Sequence, residues 1–310
     1  MNTSFQSLIE QIGRVFYGKE QQVKLSLSCL LSGGHLLIED LPGMGKTTLA
    51  HCLAKALGLH YERIQFTSDL LPGDILGVSI FDQVNQSFRF NKGPVFTNVL
   101  LADEINRSTP KTQSALLEAM EENQVTVDGT TYPLDSPFFV IATQNPLSQA
   151  GTYPLPESQL DRFLMCISLG YPSEAAERKM LVGDDPRTQL KHLEPFMSVA
   201  QVGKVQAALN DVEASDALIS YIQRLVHFTR EHERFHSGLS PRGAMALLRA
   251  AKAWAFIHDR AYVKPEDIQA VLPSVVEHRV QGYDRLSSHR AEKNDSLSQF
   301  LLDSVEVISM

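Results

Sequence analysis

Cysteine is scarce in this 310-residue chain: there are three, at positions 29, 52 and 166, each isolated. An odd, scattered set argues against a disulfide framework and against a cysteine-type zinc site. Each reads instead as a small buried hydrophobe in a reducing compartment. No apolar run approaches the roughly 20 residues that a membrane-spanning helix needs. The opening stretch, "MNTSFQSLIEQIGRVF", lacks the basic start and apolar block of a secretion signal. A cytoplasmic location is therefore expected. Positive charge is also short, with 28 Lys and Arg against 36 Asp and Glu, for a net charge of −8. Proteins that grip a nucleic-acid backbone usually carry a basic face, so nucleic-acid binding is disfavoured. What remains is an ordinary globular composition, 43% hydrophobic and 21% charged. It is enough chain for one large domain or two smaller ones with real cores.

Residues 39–48, "EDLPGMGKTT", come close to a phosphate-binding loop, written G-x-x-x-x-G-K-[ST]. Gly45, Lys46 and Thr47 fit, but the first glycine of the pattern falls on Asp40. The setting is right: "HLLIE" (35–39) reads as a short strand after Gly33 and Gly34. Leu49, Ala50, Leu53, Ala54 and Leu57 then mark one face of a helix closed by Gly58. A strand end that delivers a helix N-terminus presents free backbone N–H groups to phosphate oxygens. Gly43 and Gly45 allow close backbone approach, and Pro42, Met44 and Thr48 complete the cradle. Lys46 can reach the β- and γ-phosphates, and the Thr47 hydroxyl suits Mg²⁺.

A second strand, "NVLLADEINRS" (98–108), ends in Asp103 and Glu104. Carboxylates at the carboxyl end of a parallel strand lie where α/β ligands bind. Asp103 is placed to hold Mg²⁺ and Glu104 to act as general base on an attacking water. A third strand, "FFVIATQNP" (138–146), ends in Asn145, whose carboxamide can hydrogen-bond a γ-phosphate or that water. Thr109 and Pro110 start a helix between these strands as cap and first-turn residue. Two hairpins are expected, over 78–90 and over 124–134 with Asp128-Gly129 at the tip. Phe5, Leu8, Ile9, Ile12 and Phe16 recur at helical spacing and predict a packed N-terminal helix. "HERFH" (232–236) satisfies the H-E-x-x-H zinc pattern, but it abuts Ser237-Gly238, where a helix should end. It is not read as a metal site.

From about Val15 to Arg279 the chain resembles the MoxR family of AAA+ ATPases. The resemblance is carried by "LIEDLPGMGKTTLA", "QFTSDLLPGDILG", "GPVFTNVLLADEINRSTPKTQSALLEAMEE", "IATQNP", "LPESQLDRF", "GYPS", "GLSPRGAMALLRAAKAWA" and "EHRV". The family often carries Asp or Gly before its phosphate loop, so Asp40 is within its habit. The resemblance implies an αβα parallel-sheet core over residues 1–185 with two inserted hairpins. A small helical lid would follow over 186–310, its segment from about 285 unassigned. It implies ATP and Mg²⁺ as cofactors, and hydrolysis in a homo-oligomeric ring, with a hexamer expected. Arg162 matches the arginine finger that reaches a neighbouring subunit's γ-phosphate. Arg242 matches the sensor-2 arginine, with Ser240 and Pro241 as cap and first helical residue aiming it at the cleft. Phe16, Tyr17 and Gly18 match the segment that packs on adenine. The work implied is remodelling or chaperoning of a client protein, often with a partner carrying a von Willebrand factor A-type domain. A DNA translocase and a metal-chelatase ATPase subunit are the alternatives. The hairpin over 124–134 has no basic residue to track phosphates, and that over 78–90 has only Arg89.

Overall fold

The computed structural model describes residues 5–145, 152–183, 186–282 and 296–307. Five parallel strands form the central sheet: β1 (His35–Glu39), β2 (Tyr61–Gln65), β5 (Val99–Asp103), β8 (Phe139–Gln144) and β9 (Phe163–Ile167). They lie in the order β2-β5-β8-β1-β9. β5 and β8 are buried along their whole length, which is why they read as unbroken apolar runs. Along β1, Leu36 and Ile38 face one core and Leu37 faces the other. Helices cover both faces, so the class is the expected αβα sandwich.

On one face lie α1 (Phe5–Gly13), α2 (Glu20–Leu31) and α3 (Lys46–Ala56). The other face carries α4 (Pro72–Leu76) and α5 (Pro110–Glu122). Thr109 caps α5 through the Thr112 N–H, with Pro110 in its first turn, as expected. The hairpins form as β3 (Gly77–Asp82) with β4 (Ser87–Lys92), and β6 (Gln124–Val127) with β7 (Thr130–Pro133). Asp128 and Gly129 turn the second with positive φ, 51° and 77°. Phe90 of the first stacks on Tyr132 of the second, ring centroids 4.2 Å apart, so the two stand side by side.

Most of the remaining described elements are helices: α6 (Glu157–Leu160), α7 (Glu174–Val182), α8 (Pro186–Lys191), α9 (Val199–Ala208), α10 (Asp216–Glu231), α11 (Pro241–Ile257), α12 (Pro265–Val276) and α13 (Leu297–Ser304). A short antiparallel pair, β10 (Phe235–Ser237) with β11 (Gln281–Gly282), is set among them. α11 packs on both α2 and α12. Its Ala250, Ala251 and Trp254 join the same core as α1 to α3. The expected division after residue 185 falls beside residues 184–185, which lie outside the described set. Much of the unassigned tail, 285–295, lies outside it too. Beyond it, α13 buries Leu297 and Leu301 in the helical core.

Two expectations change. α1 ends at Gly13, so Phe16 leaves the helix instead of extending its stripe. α10 ends at Glu231, and His236 sits in β10. His232 and His236 therefore do not share a helix.

Candidate nucleotide site

The glycine-rich loop joins β1 to α3 with the geometry a phosphate cradle needs. Gly43 and Gly45 take φ of 85° and 89°, a backbone region that side chains rarely tolerate. Gly45 caps the 11-residue α3, whose first turn holds Lys46, Thr47 and Thr48. Pro42 and Gly43 are exposed, whereas Met44 is half-buried against the main core. A Cβ at Gly45 would stand 3.0 Å from the Phe16 ring, so that ring backs the loop directly. Tyr17 donates from its hydroxyl to Gln189 Oε1 of α8 at 2.8 Å. Gly18, at φ 70°, lies against Ala176 of α7. The three residues expected near adenine thus lie between the loop, which Phe16 touches, and α7 and α8, which Gly18 and Tyr17 touch.

Asp40 explains its departure from the glycine pattern. Its Oδ2 accepts from the Leu169 N–H (2.7 Å), the Gly170 N–H (2.6 Å) and the Ser168 hydroxyl (3.1 Å). Oδ1 accepts from the Leu41 N–H at 2.8 Å. Burial pushes this carboxyl's pKa up, but the donors outweigh it and hold it below the usual carboxylate value. The side chain turns away from the cradle and pins the exit of β1 to the exit of β9.

Lys46 is buried, and its Nζ donates to the Asp40 carbonyl (2.6 Å) and to Asn145 Oδ1 (2.9 Å). Asn145 in turn donates from Nδ2 to Glu104 Oε1 at 3.0 Å. One carboxamide therefore links the loop lysine to the acid at the end of β5. Burial lowers the lysine pKa, with Asp40, Asp103 and Glu104 pulling it back up. Glu104 adopts φ 56°, ψ 48°, a left-handed conformation costing on the order of 1 kcal/mol or more for a non-glycine. Its Oε2 takes Gln65 Nε2 (2.9 Å) and Arg107 Nη1 (2.7 Å). Thr143 orders both acids at once: its hydroxyl donates to Asp103 Oδ1 (2.6 Å) and accepts from the Glu104 N–H (2.9 Å). Asp103 Oδ2 is paired with Arg63 Nη2 at 2.6 Å. Asp103 and Thr47 supply oxygen donors of the kind Mg²⁺ takes.

The arginines are placed differently. Arg162 precedes β9, whose Phe163 pairs with His35 at the amino end of β1, opposite the loop. Its Nε stands 2.7 Å from Glu121 Oε2, off the hydrogen-bond line, as an ion pair. Arg242 meets Oε1 of the same carboxylate through Nη2. Both line a cavity of about 400 Å³ with Gly33, Gly34 and Arg279. The expectation that Arg242 points into its own chain's cleft is therefore corrected. Ser240 does cap α11, accepting from the Gly243 N–H at 3.0 Å. However, Ser240 also bonds to Asp161 Oδ2 (3.3 Å), and buried Arg279 ties Asp161 to the Phe163 and Leu164 carbonyls. The helix start is fastened to the far end of the sheet, and Arg242 goes with it.

Thr143, Arg63, Gln65, Arg107 and Glu121 were not singled out from the sequence. Thr143 lies one strand position before Gln144 in "IATQNP". Alternation along β8 could have nominated it, because residues 141, 143 and 145 share a face. Arg63 and Gln65 sit on β2, a half-exposed edge strand with no apolar run to announce it.

Comparisons with known proteins agree with this arrangement. The ATPase family associated with various cellular activities (AAA) matches residues 35–165, and the AAA lid domain matches 227–299. The lid match thus reaches into the stretch left unassigned by the sequence. The uncharacterized Bacillus subtilis (strain 168) protein YeaC is 49% identical over 272 residues, covering 88% of this chain and 85% of its own. Chaperone MoxR1 of Mycobacterium tuberculosis is 41% identical over 291 residues, covering 90% of this chain and 76% of its own. A crystal structure of a candidate ATPase from Cytophaga hutchinsonii superposes with a TM-score of 0.86 at 40% identity. That match covers 98% of this chain and 94% of the other. The chain belongs to the MoxR family of AAA+ ATPases.

Proposed function

We propose that the chain binds ATP with Mg²⁺ at residues 42–48 and hydrolyses it within a homo-oligomeric ring, a hexamer by the family's pattern. The observation that carries this reading is the chain of contacts from Lys46 through Asn145 to Glu104, with Asp103 alongside. In it a phosphate-binding cation, a carboxamide and a general base converge at the start of one helix. Bound Mg²⁺, held through Thr47 and Asp103, would neutralise phosphate charge. Lys46 would exchange the Asp40 carbonyl and Asn145 for phosphate oxygens, leaving Asn145 to orient the water that Glu104 deprotonates. Phe16, Tyr17 and Gly18 would flank the adenine.

Arg162 and Arg242 lie at the opposite end of the sheet from this site, so both are assigned to the nucleotide of the adjoining subunit. The first hairpin leaves Ile80, Phe81, Val84 and Phe88 exposed. That apolar surface suits a polypeptide client better than a phosphate backbone and supports remodelling of protein, which we place in the cytoplasm on the sequence reading alone. A partner with a von Willebrand factor A-type domain fits the same reading. Equilibrium binding of a fluorescent ATP analogue tests the site. Lys46→Ala should abolish binding, whereas Glu104→Gln should bind but not turn over, because losing the base slows only chemistry. Wild-type binding by both, with turnover retained, would remove the assigned roles.

A further inference from the structure

We infer that Glu121 is a positioning residue for the reaction in the adjoining subunit, holding Arg162 and Arg242 as one preset pair. This rests on the reading that these arginines act across a subunit boundary. Glu121 lies at the carboxyl end of α5, and its two oxygens are divided between the guanidinium groups. The carboxylate is one-third exposed, Arg162 28% and Arg242 46%, so the group opens to the surface. Hydrogen bonding from Arg242 and the two positive charges hold its pKa below the usual carboxylate range. The contacts occupy Nε of Arg162 and one Nη of Arg242. Each guanidinium has five N–H donors, and among the described residues most have no other partner, which leaves them to take phosphate oxygens. Without the carboxylate, two like charges beside Arg279 and Arg249 would repel one another and spread.

Glu121 sits in the last turn of a regular, capped helix. α5 begins beside Glu104, with Asn106 and Arg107 leading into it, and ends at the arginines, so one helix of 13 residues spans the sheet. Loops and helix starts of separate elements carry the two arginines; the Ser240–Asp161 bond fastens their backbones together, and the shared carboxylate sets where the two guanidinium groups stand. Misplacing a catalytic group by about 1 Å can lower a rate roughly 100-fold.

The test uses the full chain with Mg²⁺ and ATP. Glu121→Gln should lower kcat by about 10- to 100-fold. Binding of a fluorescent ATP analogue should stay within about twofold, because the chain's own phosphate loop is untouched. Glu121→Asp, which keeps the charge on a shorter arm, should recover a large part of the rate. Adding Glu121→Gln to an Arg162→Ala, Arg242→Ala chain should have no further effect, since Glu121 acts only through them. If Glu121→Gln retains wild-type kcat while Arg162→Ala loses it, the positioning role fails and the arginine reading survives. If Arg162→Ala and Arg242→Ala both retain wild-type turnover, that reading falls and takes this one with it. A Glu121→Gln chain that loses nucleotide binding along with rate, unrescued by Asp, would mark a merely structural residue and overturn the proposal.

Discussion

Replacing Asp40 by alanine should destabilise the protein without touching a phosphate contact. The Asp40 side chain is the anchor between the exits of β1 and β9. Its removal orphans the Leu169 and Gly170 N–H groups, now bonded at 2.7 and 2.6 Å. Leu169 is buried and Gly170 half-buried, so water can compensate only the second. An orphaned buried donor costs about 1–3 kcal/mol and the net loss of the Gly170 bond adds about 1, which puts the total at roughly 2–4 kcal/mol. In a chain of this size that corresponds to a fall in Tm of roughly 3–6 °C. Asp40→Asn keeps an acceptor oxygen and loses the charge, so it should fall by less. The carboxyl titrates below its ordinary value of 3.8 when folded, so its contribution is present above that value. It is lost as pH falls through the lower, folded pKa. Thermal melting of the purified variants at pH 7 and at pH 3, below the ordinary value, measures both effects. A Tm within about 1 °C of wild type for Asp40→Ala at pH 7 would refute the reasoning, because an orphaned buried donor together with a lost bond to a carboxylate cannot be that cheap.

Acid should weaken the fold well before the carboxylates titrate. His35 Nδ1 accepts the Val140 N–H at 2.9 Å, and burial pushes the ring's pKa down to about 4; burial, then Arg279, takes His278 to about 3. The unfolded chain gains protons below pH 6.5 that the folded chain refuses, so stability is full above that pH and declines toward 4. The slope is at most about 1.4 kcal/mol per pH unit per histidine. Urea midpoints between pH 7 and 5 should flatten in His35→Gln; an identical slope would contradict this. Arg63 shares Asp103 Oδ2, so Arg63→Ala should lower the Mg²⁺ needed for half-maximal turnover by up to about fivefold, the ceiling for a half-exposed ion pair. An unchanged or higher Mg²⁺ requirement would show that Arg63 does not compete for that oxygen.

Local pattern made the phosphate site legible. Strand, loop and helix fall at 35–39, 43–45 and 46–56, and Asp103 and Asn145 emerge from or follow strands that are buried on both faces. Those strands announce themselves because a strand covered on two sides must be apolar throughout. The edge strand β2 has no such constraint, and with it Arg63 and Gln65 escaped notice. The arginine cluster was illegible for another reason. Glu121, Arg162 and Arg242 belong to three elements far apart in sequence, and only the docking of α11 against α2 and α12 brings them together. Helix capping correctly located Ser240 and Pro241 but says nothing about which end of a sheet a helix will reach. Phe16 shows the limit of periodicity: its spacing matches a helix face, yet the helix stops at Gly13 and the ring serves the phosphate loop instead.

The central claim is that each working site is assembled from the phosphate loop of one subunit and the arginines of another. Mixing two inactive variants tests it most directly. Arg162→Ala keeps its loop and lacks a finger; Lys46→Ala keeps its finger and holds no ATP. Trans-acting arginines contribute about 10³–10⁵ in rate in GTPase systems, so either variant alone should be nearly silent. ATPase activity should return on mixing and rise with protein concentration, because some interfaces then pair an intact loop with an intact finger. A mixture that stays as inactive as its components, while gel filtration shows mixed oligomers, would contradict it.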